Sequence, residues 1–251
     1  MALTITYSEA SSNLPAYLDN WIDNFEYRGT GNFNAVKNTT DQWYAGTRIG
    51  GGVDNDKSSV IVSGDDFSYT PGVIDGTVTM MTLGSNLAYV ASTDLWVQDP
   101  GLSIGFSGAT LTPTFDAAIT DLSQNGSLNG LYGYFAEQGT IQIGTAGNDV
   151  MLSFGGADSF TGGLGNDTFT FADDWDDDAV VDFNTVDGDS DVIDLQAVTN
   201  ITGYVDLFFN HSNWWDNTNV LTITDGDNTI QLSGYVGTDM LELILDGHFT
   251  V

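Results

Sequence analysis

The chain has 251 residues, of which 35 are acidic and 4 basic, giving a formal net charge of -31, and it has no cysteine. That balance argues against nucleic acid or an anionic membrane as a partner, and the missing thiols exclude a disulfide scaffold and a Cys-ligated zinc site. A hydrophobic content of 41% with 12% aromatics is enough for a real core, so the charge must be neutralised rather than leave the chain unfolded.

Met1–Ile5 has no basic n-region and no long apolar stretch, so no cleavable signal peptide is expected. No run approaches the length of a membrane-spanning helix, and no membrane insertion is expected. The pattern opens with a strand at Leu3–Tyr7. Leu14, Tyr17, Leu18, Trp21, Ile22 and Phe25 then fall on one face at helical period, with Ser12 or Asn13 to cap the helix and Pro15 in its first turn. Residues 28–58, rich in Gly, Asn, Thr and Asp, read as a long loop. Strands are expected at Ser59–Ser63, Phe67–Thr70, Thr77–Leu83, Leu87–Ala91, Leu95–Gln98 and Leu102–Phe106, and helices at Phe115–Leu122 and Ser127–Glu137. This is an α+β pattern, an antiparallel sheet with helices on one face.

A composition change near Gly139–Gly144 places a domain boundary there, with domains at 1–139 and 140–251. The second region reads as all β: after a repeated segment come strands at Ala179–Phe183, Val192–Leu195, Tyr204–Phe209, Val220–Thr224, Thr229–Leu232 and Leu241–Leu245. Asp225-Gly226-Asp227 reads as a hairpin turn.

The repeats are three consecutive nonapeptides, GTAGNDVML at 144–152, SFGGADSFT at 153–161 and GGLGNDTFT at 162–170. The template is G-G-x-G-x-D-x-U-x, with U a large apolar residue. The third repeat matches every specified position, the first misses one glycine, and the second has Ser153 and Phe154 where two glycines are expected. Glycines permit left-handed backbone and turn carbonyls inward, the aspartate supplies a hard oxygen ligand, and Met151, Phe160 and Phe169 point into the core. One coil takes two nonapeptides, so loops 144–149 and 162–167 share a side and a Ca²⁺ between Asp149 and Asp167. Asp158 would pair with Asp176, eighteen residues on, in a second and less regular site. The candidate ligand set is Gly144, Ala146, Asn148, Asp149, Gly155, Ala157, Asp158, Gly162, Leu164, Asn166, Asp167, Asp173 and Asp176, for one to several calcium ions. Charge supports this: from Ser58 onward there is no Lys or Arg against 28 acids, and 13 aspartates fall between Asp149 and Asp194. Such a segment should fold at the millimolar calcium found outside cells.

Residues 144–251 resemble the C-terminal RTX (repeats-in-toxin) module of type I secreted proteins. Besides the repeats, Val181-Asp182-Phe183 and Asp191-Val192-Ile193-Asp194-Leu195 resemble the cap after them, Ile230-Gln231-Leu232-Ser233-Gly234-Tyr235-Val236 its penultimate strand, and Asp246-Gly247-His248-Phe249-Thr250-Val251 the acidic-then-apolar tail presented to the exporter. The resemblance implies a calcium-binding parallel β-roll with a β-sandwich-like cap, export by a type I ABC transporter, and a secreted location.

No enzyme signature appears: there is no H-E-x-x-H and no G-x-S-x-G, and the only histidines are His211 and His248, so no catalytic role is expected. Residues 2 to about 138 resemble the HasA-type secreted haemophores through Ile5-Thr6-Tyr7-Ser8, the helix positions Tyr17-Leu18, Trp21 and Phe25, the segment Val60–Thr70, Leu102–Leu111 and Ser127–Gly139. In that family a loop histidine and a tyrosine hold haem iron, and a second histidine supports the tyrosine. Tyr69 sits where the ligand tyrosine would, whereas Thr30 and Gly76 or Thr77 stand where histidines are expected. Tyrosinate can hold ferric haem alone, with Asp75 as a candidate support. The resemblance implies haem as cofactor and an outer-membrane haem receptor as partner. The alternative is a non-catalytic calcium-binding extracellular protein that has lost haem binding.

Overall fold

A computed structural model describes residues 2–34, 41–47, 57–70, 73–107, 111–186, 189–213, 220–234 and 240–251, with the side chains of Tyr69 and Thr70 outside the description. The chain divides into two compact units, one of Met1–Thr6 and Ala16–Glu137, the other of Tyr7–Pro15 and Gln138–Val251. The protein mixes an extended sheet architecture with few helices, and among the described residues no helix is long and apolar enough to cross a membrane.

The first unit contains β1 (Leu3–Tyr7), α1 (Leu14–Asp23), β2 (Asn32–Asn34), β3 (Asp41–Gly46), β4 (Ser58–Thr70), β5 (Val73–Val90), β6 (Leu95–Gly105), α2 (Pro113–Thr120) and α3 (Asn129–Gln138). The strands lie in the order β1-β6-β5-β4-β3-β2, antiparallel from β6 to β2. The stretch 28–58, expected to be a loop, carries two of these strands, because Trp43 and Ala45 find partners in Val62 and Val60 across the sheet. The expected pairs of short strands merge into the long β4, β5 and β6, with register shifts absorbing the polar interruptions at Asp65/Ser68 and Ser85/Ala88. Buried Leu14, Leu18 and Trp21 realise the helical apolar face, and Phe25, expected on that face, lies two residues past the end of the helix, buried and stacked on Trp21 at 4.8 Å. Trp21 donates through Nε1 to the Gly84 carbonyl at 3.0 Å, and Tyr17 Oη to Leu83 at 2.9 Å, so α1 is pinned to β5. Phe106, Phe115 and Tyr134 form an aromatic cluster with centroid spacings of 5.3–6.1 Å that seats α2 and α3.

The second unit contains β7 (Thr140–Ile143), β8 (Val150–Leu152), β9 (Asp158–Thr161), β10 (Thr168–Ala172), β11 (Asp177–Val180), β12 (Thr185–Val186), β13 (Asp189–Ser190), β14 (Val192–Ala197), α4 (Tyr204–Asn210), β15 (Leu221–Asp225), β16 (Asn228–Leu232), α5 (Met240–Leu245) and β17 (Phe249–Thr250). Strands β7, β9, β11 and β16 form one parallel ladder, and β8, β10, β14 and β17 another. Met151, Phe160 and Phe169 are fully buried, with Phe160 and Phe169 edge-to-face at 5.9 Å. The coil step is visible in the register: Met151 pairs with Phe169 and Ile141 with Ser159, but Ser159 pairs with Ala179 and Phe169 with Ile193. The step therefore lengthens from eighteen residues to twenty and then twenty-four as the repeats end.

The expectation of an all-β second region needs correction. Residues 204–210 and 240–245 are helices, not strands; only Leu207 in α4 and Met240 and Leu243 in α5 are buried. The hairpin turn stands, with Asp225 opposite Asn228 and Gly226 in the left-handed region at φ 62°. Tyr235 and Val236 lie outside the described residues.

Candidate functional site

Along one edge of the second unit, loops 144–149 and 162–167 stack on each other. The Asp149 amide donates to Asp167 Oδ1 at 2.8 Å, and the Asp167 amide to Asp191 Oδ1 at 2.9 Å. An asparagine ladder runs beside it, the Asn166 amide donating to Asn148 Oδ1 and the Ser190 amide to Asn166 Oδ1, each at 2.9 Å. The glycines have a steric reason: a Cβ on Gly144 would lie 2.3 Å from the Gly162 carbonyl oxygen, and one on Gly163, at φ 102°, 2.2 Å from that of Thr145. Asp149 and Asp167 are each about 1% exposed, yet Asp149 Oδ1 and Asp167 Oδ2 have no hydrogen-bond partner. Burial, reinforced by Asp191, Asp149 and Asp182, pushes the Asp167 carboxyl up to about 7, and burial pushes Asp191 up to about 6. Gly144, Ala146, Asn148, Gly162, Leu164 and Asn166 belong to these loops, with Ala146, Asn148 and Leu164 open to solvent at their side chains.

The opposite edge is built differently. Asp158 Oδ1 accepts from the amide and hydroxyl of Thr140 at 2.8 and 2.6 Å, and Oδ2 from the Phe154 amide at 2.8 Å. The Asp158 amide donates to Asp178 Oδ1 at 2.7 Å, and Ser153 Oγ to Asp178 Oδ2 at 2.8 Å. All four carboxylate oxygens are thus engaged, and Ser153 and Phe154, the residues that break the glycine pattern, supply two of the donors. Burial pushes Asp158 up to about 6 and Asp178 to about 8, the Asp158 charge adding to the latter. The ladder partner of Asp158 is Asp178, not Asp176, because the coil step here is twenty residues; Asp174 and Asp176 take up the surplus in left-handed backbone at φ 63° and 66°. Asp176 is exposed, and Asp173 accepts from the amide and hydroxyl of Thr199 at 2.8 and 3.0 Å. Gly155, at φ 82°, and Ala157 sit in the turn before β9. Among the described residues no three Asp, Glu or His side chains converge closely enough to hold a metal ion, so any cation here must draw largely on backbone oxygens. Sequence spacing missed Asp178, Asp182 and Asp191, whose ladder positions fall out of the nine-residue phase.

In the first unit, Tyr69 stands near the end of β4 directly opposite Ile74 of β5, and its side chain lies outside the described residues. Next to this pairing is a cleft of about 550 Å³ lined by Ile74, Asp75, Gly76, Thr77, Val78, Phe106, Leu111, Thr112, Pro113 and Asp116. Asp116 Oδ1 accepts from the Ile74 amide at 3.2 Å, and burial, with the charge of Asp75, raises its pKa. The positions expected for histidines hold a Thr30 whose carbonyl accepts from Trp43 Nε1 at 3.2 Å, and Gly76 at φ 126°. The two histidines of the chain belong to the second unit, where His211 Nδ1 and His248 Nδ1 each lie 2.7 Å from a backbone carbonyl, of Thr224 and Asp191.

No protein-family model matches the chain, and no curated protein does. Solved structures are similar over part of it. The apo haemophore HasA from Yersinia pestis is 17% identical with a TM-score of 0.40, covering 55% of this chain and 90% of its own. A HasA mutant from Yersinia pseudotuberculosis is 15% identical with a TM-score of 0.39, again over 55% of this chain and 90% of its own.

Proposed function

We propose that the chain is a secreted, extracellular haem-binding protein whose second unit is an RTX-type parallel β-roll folded around calcium and exported by a type I ABC transporter. The observation that carries the calcium half is the pair of buried, unpartnered carboxylate oxygens, Asp149 Oδ1 and Asp167 Oδ2, on the stacked edge. A buried carboxylate oxygen without a donor costs on the order of 1–3 kcal/mol or more, and a hard divalent cation removes that cost. The residues present fit calcium: oxygen donors only, in a glycine cradle with no room for a Cβ. Asp149 and Asp167 would hold the ion with backbone oxygens of Gly144, Ala146, Asn148, Gly162, Leu164 and Asn166. Bound calcium would supply positive charge against the two buried, unpartnered carboxylate oxygens. On the other edge Asp158 already has its donors, and Gly155, Ala157, Asp173 and Asp176 are the weaker half of the ligand set.

The haem half is supported by the sequence resemblance of residues 2–138 and by the cleft beside the Tyr69–Ile74 pairing, whose volume can take a flat organic ligand and whose lining mixes Ile74, Val78, Phe106 and Leu111 with Asp75 and Asp116. Tyr69 is the axial ligand in this reading, and Asp75 and Asp116, both lining the cleft, are the acceptors available to a phenol there. An outer-membrane haem receptor would be the physiological partner. The second reading, an extracellular calcium-binding protein that has lost haem binding, is favoured by one observation: both histidines are in the second unit, so the first has no imidazole to offer iron. Titration with hemin in millimolar calcium, beside Tyr69→Ala, separates the two. A saturable one-to-one change with a tyrosinate charge-transfer band, lost in the variant, supports haem capture; no saturable change leaves the second reading.

A further inference from the structure

We propose that the second unit is completed by a segment from the far end of the chain, Tyr7–Pro15, and that calcium uptake by the repeats and docking of this segment depend on each other. The inference rests on the calcium reading above and carries it to residues outside the repeats.

Residues 7–15 have no nonapeptide pattern, yet they group with the second unit. Strand β8 is the end strand of its ladder, and an uncovered end strand presents unpaired amides and carbonyls. The segment covers it: the Val150 amide donates to the Ser12 carbonyl at 2.6 Å, and Asn13 forms a parallel bridge with Val150. Val150 directly follows Asp149, so this cover sits one residue from the calcium loop. A second anchor lies in the interior. Tyr7 Oη donates to Gln142 Oε1 at 2.6 Å, Gln142 Nε2 donates to the Leu152 carbonyl at 2.7 Å and to Thr140 Oγ1 at 3.1 Å, and Thr140 Oγ1 donates to Asp158 Oδ1 at 2.6 Å. Gln142 and Thr140 are fully buried and Tyr7 nearly so, so removing the Tyr7 hydroxyl takes a donor from the Gln142 amide oxygen where solvent does not replace it. Burial, with the charges of Asp149 and Asp158, holds the Tyr7 phenol far above its ordinary pKa, so it remains a donor. Between the two anchors Ser8 caps a single 3-10 turn, Glu9–Ser11: its Oγ accepts from the Ala10 amide at 3.2 Å, and Ser11 Oγ accepts from the Ser8 amide at 2.9 Å. The ion and the segment both bind the coil with β7, β8 and the loop before β8 in place, so each raises the affinity for the other. Calcium then acts on the N-terminal residues of the chain as well as on the repeats.

Hydrogen exchange on the full-length chain, followed by mass spectrometry along a calcium titration, tests this. Peptides covering 7–15 and 144–170 are expected to gain protection at one common calcium midpoint, while β5 and β6 of the first unit are protected throughout. Tyr7→Phe should raise the midpoint of 144–170 at least about twofold. If 144–170 responds to calcium and 7–15 is equally protected with and without it, the proposal is overturned and the calcium site stands. A midpoint of 144–170 that Tyr7→Phe leaves unchanged overturns it as well. So does loss of protection in β5 and β6 at the same midpoint, which would make the response of 7–15 that of the whole chain. If 144–170 shows no response to calcium, the calcium reading falls and the proposal with it. Should Tyr7→Phe not fold, the wild-type titration decides.

Discussion

Gly163 illustrates how much one residue carries in this fold. Its φ of 102° is open to glycine at little cost, and a Cβ there would strike the Thr145 carbonyl. Gly163→Ala should lower the stability of the second unit by at least about 1–3 kcal/mol from backbone strain alone, measured by urea unfolding in saturating calcium. Phe160 is the apolar counterpart, fully buried between Phe169 and Phe171. Phe160→Ala should cost about 3–5 kcal/mol in the same assay. Both residues were legible in the sequence because they sit in the nine-residue phase. Asp178, Asp182 and Asp191 were not, because insertions after Asp173 and around 185–190 shift the phase by two and by six residues, and only the register of the folded ladders reveals it.

At the scale of elements, the two edges of the second unit solve one electrostatic problem in two ways. The edge through Asp158 and Asp178 is closed by hydrogen bonds, with carboxyl pKa values of about 6 and about 8. Both are raised above the unfolded value of about 3.9, so the folded state holds protons that the unfolded chain has released. Their contribution to stability is full below about pH 4 and is lost as pH rises through 6 and then 8. Calcium-saturated protein should therefore lose thermal stability between pH 5 and 9, and Asp178→Asn should flatten the upper part of that slope. An unchanged slope in the variant would remove Asp178 from this role. Element identity was read well where the pattern was long and poorly where it was short. The α1 face with Leu14, Leu18 and Trp21 was plain, though the helix stops at Asp23 short of Phe25, and the strands from 58 to 106 were located but not their fusion, since the bulges that join them leave no simple sequence mark. Tyr204–Phe209 and Leu241–Leu245 read as strands because short apolar runs fit either period. They fold as amphipathic turns of helix that leave Val205, Phe209 and Leu245 exposed.

At the scale of the whole molecule, the charge distribution separates two kinds of unit. All four basic residues lie in the first 57 residues, and the second unit has to manage its aspartates without any cation of its own. An ion that binds the folded unit alone raises its stability by mass action, about 2.7 kcal/mol at a hundredfold excess over the Kd. The most direct measurement is thermal unfolding of the full chain, followed by circular dichroism, in millimolar calcium and again with excess chelator. The account predicts that chelation lowers or abolishes the transition of the second unit, that calcium but not equal ionic strength of sodium chloride restores it, and that Asp149→Asn weakens the restoration. A second unit equally folded and equally stable with and without calcium would contradict it.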